Sequence, residues 1–239
     1  DSTSSRGLGD VYKRQVTTVT FFSFTENKFW AFKQMGLAPF RMNSVKGLQF
    51  FKFLGTGGGK GFSLWPDFST YAFLGVWDDE SAYVNFKNTH PIFLAYQKMA
   101  NTQRDLVLES QMSHGKWSGV NPFQQNKLPD FKVKSKQPAV VITRATLQWN
   151  RLFSFWLAVP AASRAIEEAE GIQYFKGIGE LPFIQQATLS IWDDFEAVNT
   201  FAYKGKKHSE IIKKTRQKKW YKEDLFSRFH LISDVSKTL

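Results

Sequence analysis

The chain has 239 residues, 42% of them hydrophobic and 16% aromatic, a formal charge of +11 and no cysteine. That content is enough to bury a sizeable core, and the missing thiols exclude disulfides, zinc–thiolate sites and cysteine nucleophiles while suiting a reducing cytoplasm. No apolar run approaches the ~18 to 20 residues of a membrane-spanning helix; the expectation is a globular, cytoplasmic protein whose charge and 24 phenylalanines leave peripheral contact with an anionic membrane open.

The first fifteen residues, DSTSSRGLGDVYKRQ, have neither apolar periodicity nor the apolar core of a signal peptide, and are expected to be a disordered, non-native extension. VTTVTFFSF (16–24) predicts a strand. GLQFFKFLG (47–55) predicts a second, which turns at Gly57, Gly58 and Gly59 into a third ending at Trp77. The turn GTGGGKG (55–61) is not a phosphate loop, because no Ser or Thr follows its lysine and no helix opens behind it. A helix starts after Trp77-Asp78-Asp79, and DLVLESQM (105–112) closes the unit as a strand.

The order then recurs. AVVITRATL (139–147) predicts a strand, and 150–171 a helix opening on Asn150 as N-cap and closing on Gly171. GIQYFKGIG (171–179) and QQATLSIWDD (185–194) predict a hairpin, a lysine-rich helix follows, and DLFSRFHLI (224–232) returns as the last strand. GLQFFKFLG matches GIQYFKGIG, each half carries Trp-Asp-Asp with a Phe seven residues beyond it (Phe86, Phe201), and RDLVLE (104–109) matches EDLFSR (223–228). Each half reads strand, helix, strand, strand, helix, strand, the split βαβ order of a ferredoxin-like unit. A sheet with helices on one face needs cover on the other. The fold expected is α+β, with two tandem ferredoxin-like βαββαβ repeats, 16–112 and 139–239, joined by the polar, proline-punctuated linker 113–138 and closing an intramolecular dimeric α+β barrel. Two independent units on a string are the alternative.

No HExxH zinc motif and no GxSxG nucleophile elbow is present. The Trp-Asp-Asp pairs read as helix caps rather than acid and base. What is left is a histidine acting alone, which suits a haem with one axial imidazole. On a helical wheel His208 shares a face with Phe201, Ile211 and Ile212, away from Lys206 and Lys213. The surrounding positive charge disfavours its protonation, and the neutral form is the one that binds iron. From the residues alone, a hydrogen-bonded core histidine stands beside the ligand reading. His90, before Pro91, reads as a helix cap; His114 and His230 have no special context.

Seven segments in order carry a resemblance: WAFKQMG (30–36), FFKFLGTGGGKGF (50–62), WSGVNPF (117–123), TRATL (143–147), FWLAVPAASRAI (155–166), YFKGIGELPFIQQATLSIW (174–192) and HSEIIKKTRQKKWYKEDLFSRF (208–229). From about Val16 to Ile232 the chain resembles the spheroidene monooxygenases. The resemblance implies haem b, O2 as co-substrate and electrons from a ferredoxin-type donor. It implies hydroxylation near one end of a long acyclic carotenoid, or a related terpenoid, and a second hydroxylation followed by water loss to give a ketone. It implies His208 as iron ligand, with Trp117 beside the cofactor and with Arg144 and Lys52 as candidate catalytic residues, pairing a propionate or donating to oxygen. A polyene longer than the core requires an open-ended apolar tunnel lined by Phe and Trp. The nine Lys or Arg between Lys204 and Lys222 suit an acidic ferredoxin or an anionic lipid surface, and a pI near 9.7 without a recognised binding motif argues against nucleic acid. Two rivals remain: another haem enzyme on the same scaffold, such as a dehydratase or peroxidase-like protein, and a haem-free carrier of an apolar ligand.

Overall fold

β-Branched and aromatic residues alternate along eight stretches, and each forms a strand. The computed structural model describes residues 14–59, 65–123, 137–157, 159–181, 183–204 and 220–239. The first half comprises β1 (Val16–Ser23), α1 (Lys28–Leu37), β2 (Leu48–Gly57), β3 (Pro66–Trp77), α2 (Glu80–Thr89), α3 (Pro91–Met99) and β4 (Thr102–Gly115). The second comprises β5 (Ala139–Leu147), α4 (Leu152–Trp156), α5 (Val159–Glu167), β6 (Ile172–Leu181), β7 (Gln185–Trp192), α6 (Phe195–Lys204) and β8 (Tyr221–Thr238). All strand pairs are antiparallel, and the sheet closes in the order β1-β3-β2-β6-β7-β5-β8-β4. The two ferredoxin-like units therefore share one barrel, and the two-bead alternative is overturned.

Inward residues of both halves fill the barrel, among them Val19, Leu54, Leu74, Leu106, Val140, Ile142, Ile178, Leu189 and Phe229. Burial of each contributes about 1.5–3 kcal/mol, and this shared core holds the halves together. In the stretch read as a polar connection, β4 continues to Gly115, with His114 opposite Phe226. Trp117 and Phe123 then enter the barrel core. Arg14 and Gln15, grouped with the N-terminal extension, are also tied in: Arg14 pairs with Glu109 at 2.6 Å, and buried Gln15 donates to Gln49 and to the Pro122 carbonyl.

The repeat extends to backbone detail. Gly47 and Gly171 both have left-handed φ, 78° and 80°. A Cβ on either would lie 2.5 Å from Cβ of Ala82 or 2.6 Å from Cβ of Ala197, so only glycine lets helices α2 and α6 seat this closely. Asp79 caps α2 by accepting from the Ala82 amide at 2.9 Å, and Asp194 accepts from the Ala197 amide at 2.8 Å, which bears out the capping role of the Trp-Asp-Asp pairs. One match needs correction. Strand pairing makes Val107 the equivalent of Arg228, so RDLVLE and EDLFSR are two residues out of register; an even slip leaves the faces unchanged.

The expected single helix over 150–171 is interrupted. A 3-10 turn holds Asn150, α4 ends at Trp156 and α5 starts at Val159. Pro160 explains the break, because it cannot donate to the preceding turn and is tolerated only where a helix restarts. Asn150 is accordingly no N-cap.

Candidate active site

The two halves differ most on the sheet faces that look toward their helices. In the first half Phe53 pairs with Phe73 and Phe22 with Tyr71. These rings join Phe24, Trp77, Phe86, Phe93 and Tyr96 in one continuous cluster under α1, α2 and α3. The same register in the second half pairs Gly177 with Thr188 and Ala145 with Gln186. Four aromatic positions thus carry Gly, Thr, Ala and Gln; Phe226, at the position of Asp105, is the aromatic gained.

The helix-facing core of the second half is consequently split. Ala139, Val141, Trp192 and Val198 form one cluster, with Phe201 packed on Trp192 at 5.1 Å between ring centroids. Leu147, Phe155, Val159 and Trp220 form another. Between them lies the part of the sheet where Thr143, Ala145, Gly177 and Thr188 stand. His208, Ile211 and Ile212 lie outside the described residues. In sequence, 205–219 connects α6, at the first of these clusters, to Trp220 in the second.

Arg144, Lys52 and Trp117 are brought together, but on the inner side of the sheet. Arg144 follows the inward residues Val140 and Ile142, and its side chain is only 2% exposed. Its guanidinium pairs with Glu223 and lies 3.6 Å from Glu180. Lys52 Nζ donates to Glu180 Oε2 at 2.5 Å and to Ser118 Oγ at 2.8 Å. Trp117 Nε1 donates to Glu180 Oε1 at 2.6 Å. The Ser118 and Gly119 amides donate to Glu223 at 3.0 and 2.7 Å. Burial raises the Glu223 carboxyl, but these two amides and Arg144 outweigh it and hold the group below its ordinary value. Both cations are therefore matched by carboxylates in a barrel mouth, on the sheet face away from α6. Glu180 and Glu223 went unrecognised in the sequence. The available signal was that Glu180 continues the inward series Tyr174, Lys176, Ile178, where a buried cation needs an acid.

An open cleft of about 650 Å³, counted with its solvent-filled mouth, lies along the β2–β6 seam. There the strands pair only at Gly55 with Gly179 and Thr56 with Ile178, whereas β4 and β8 pair from Thr102 to Gly115. Phe32 and Met35 of α1, Phe68, Trp156 of α4 and Phe183 line it, with Glu180 and Gln186 at its floor. Tyr71 also lines it, its hydroxyl pushed up to about 12 by burial. His90 accepts from the Ile92 amide at 3.3 Å and caps α3, as expected from Pro91, and His230 packs against Phe195.

No protein-family model matches the chain. It is 32% identical to spheroidene monooxygenase of Cereibacter sphaeroides over 93% of its own length and 68% of that protein's. It is 30% identical to the enzyme of the same name from Rhodobacter capsulatus over 91% of its length and 90% of that protein's. The chain belongs to the spheroidene monooxygenase family. It is accordingly an oxidoreductase, and the resemblance seen in its seven segments is borne out. A third family member, from Rubrivivax gelatinosus, is 28% identical over 77% of this chain. Among solved structures, an aldoxime dehydratase matches 95% of the chain and 85% of its own with a TM-score of 0.58 at 9% identity. A second, in complex with butyraldoxime, gives 0.56 at 10%. At such identity these two speak for the fold alone: the spheroidene monooxygenase family member has the α+β barrel expected from its repeat.

Proposed function

We propose that this chain is a haem-dependent monooxygenase that hydroxylates the end of an acyclic carotenoid, with O2 and a ferredoxin-type electron donor, and that a second hydroxylation at the same carbon followed by loss of water gives a ketone. The observation that carries the substrate class is family membership across nearly the whole chain.

The cofactor reading rests on the second half's outer sheet face. A planar macrocycle stacked on a sheet needs small residues beneath it and an apolar rim. Ala145, Gly177 and Thr188 stand where Phe22, Phe53 and Phe73 fill the first half, and apolar clusters flank them on both sides. The residues present fit the group. His208 is the proposed iron ligand, with Phe201, Ile211 and Ile212 on its helical face as cofactor contacts. Bound haem supplies the redox centre at which O2 is reduced: each hydroxylation takes one O2, two electrons and two protons, places one oxygen in the C–H bond and releases the other as water.

The chain's own residues do the positioning. The seam cleft admits an extended apolar ligand, because Phe32, Phe68, Trp156 and Phe183 wall it while its mouth stays open. Gln186 and Gly179 belong both to the cleft and to the strand row that holds Ala145, so the cleft leads to the outer face of the second half. Arg144, Lys52 and Trp117 are given a different part from the one the resemblance implied: with Glu180 and Glu223 they lock the barrel mouth.

Absorption spectra of the wild type and His208→Ala, purified after haem-supplied expression, test the ligand. A haem band lost or strongly altered in the variant is expected, and identical spectra overturn it. Conversion of an acyclic carotenoid that stops without O2 or without reductant separates a monooxygenase from a dehydratase, and a wild type without any haem band returns the haem-free carrier.

A further inference from the structure

The walls of the seam cleft continue outward into a surface that a water-soluble domain rarely exposes. Phe32 and Phe68 touch at 5.8 Å between centroids, and Trp156 and Phe183 at 5.9 Å. One helical turn before Phe32, Phe29 is 69% exposed; one turn before Trp156, Phe153 is 81% exposed, with Leu157 beyond it at 68%. Trp65, at the foot of β3, is 75% exposed. Helices from both halves thus present apolar side chains around a single opening. Contiguous patches of this kind mark interaction sites.

The charge around the opening says what covers it. Residues 28–41 and 148–157, which hold α1 and α4, contain Lys28, Lys33, Arg41 and Arg151 and no acidic residue. Lys33 Nζ lies 4.5 Å from the Phe29 ring centroid, so a cation sits directly beside an exposed ring. Asp67, which lines the cleft itself, is occupied by Ser69 and by Lys176. Protruding Phe, Trp and Leu interleaved with Lys and Arg is the composition of a surface that inserts side chains among acyl chains while its cations meet anionic headgroups.

We propose that this rim docks the protein on an anionic bilayer, with the cleft mouth facing the acyl chains. An apolar polyene then passes from membrane to cleft without crossing water. The inference rests on the carotenoid reading for its purpose, but not for its test.

The test is co-sedimentation of the full chain with vesicles of phosphatidylcholine and phosphatidylglycerol in equal parts, and with phosphatidylcholine alone, comparing wild type with the double variant Phe29→Ser, Phe153→Ser. Neither residue lines the cleft and both are exposed, so circular dichroism and thermal melting are expected to be unchanged. Binding to the anionic vesicles is expected to weaken about tenfold or more in the variant, since two inserted rings are lost. Equal binding of variant and wild type overturns the proposal and assigns lipid attraction to the lysines elsewhere. A wild type that stays in the supernatant overturns it, as does a wild-type dimer that the double substitution dissociates, which gives the patch to a second copy. Because neither haem nor carotenoid is present, failure here leaves the haem spectrum untouched, and a missing haem band leaves the vesicle result standing.

Discussion

Phe73 on β3 and Thr188 on β7 occupy the same place in the two half-barrels: each pairs with the outward residue of the neighbouring hairpin strand, Phe53 in one case and Gly177 in the other. One half is closed by stacked rings; its counterpart has lost them where the cofactor is proposed. If that difference makes the site, restoring the ring closes it. Thr188→Phe is expected to fold with a melting temperature near that of wild type while haem per chain falls about tenfold or more, because interiors pack too densely to hold both. Haem stoichiometry after reconstitution, read beside the melt, checks this.

Gly171 supports the same half. A methyl group there meets Ala197 Cβ at 2.6 Å in a backbone conformation that side chains rarely adopt. Gly171→Ala is expected to cost about 1–3 kcal/mol, from strain and from lifting α6. Urea unfolding measures it, and Gly47→Ala, its equivalent under α2, is expected to behave alike.

The repeat was legible because it is written in backbone necessities: left-handed glycines, capping aspartates and alternating apolar residues recur where both halves need the same turn. Asn150 misled because a capping residue type was present without the geometry, and Pro160 overrode the helix from within. The positions of Arg144 and Lys52 along their strands were readable, but not the carboxylates facing them. Glu180 and Glu223 come from strands that share a barrel mouth only once the sheet has closed. The exchange of rings for small side chains around Thr188 was likewise invisible in either half alone. It emerges from comparing equivalent positions, and those are fixed by strand register rather than by sequence similarity.

The mouth cluster predicts a stability phenotype rather than a chemical one. Glu180 accepts from Lys52 and Trp117 and lies beside Arg144. Glu180→Ala leaves two cations and an indole N–H facing each other and is expected to cost about 2–4 kcal/mol in urea. Pairing it with Lys52→Met is expected to recover part of the loss, since removing both charges relieves the unpaired one. If His208 and not this cluster serves the chemistry, the double variant keeps its haem band.

Acid sensitivity follows from groups whose folded form holds fewer protons than the unfolded chain. Burial holds His90 below its ordinary 6.5, opposed by its contact with the Arg41 backbone, and holds His230 below 6.5 as well, opposed by Glu109. A depressed histidine contributes stability that is complete above 6.5 and is lost as pH falls through its folded value. Glu223, held below 4.5, and Asp67, held below 3.8 by Ser69 and Lys176 against the effect of burial, add a second loss further down. Urea midpoints taken from about pH 7.5 to about pH 4 are therefore expected to stay level near neutrality, decline below 6.5 and fall more steeply below 4.5. His90→Asn separates the contributions, because asparagine caps the helix as well as histidine does but does not titrate. It is expected to match wild type above pH 7 and to lose less between about 6.5 and 5; a parallel decline would assign that loss to His230.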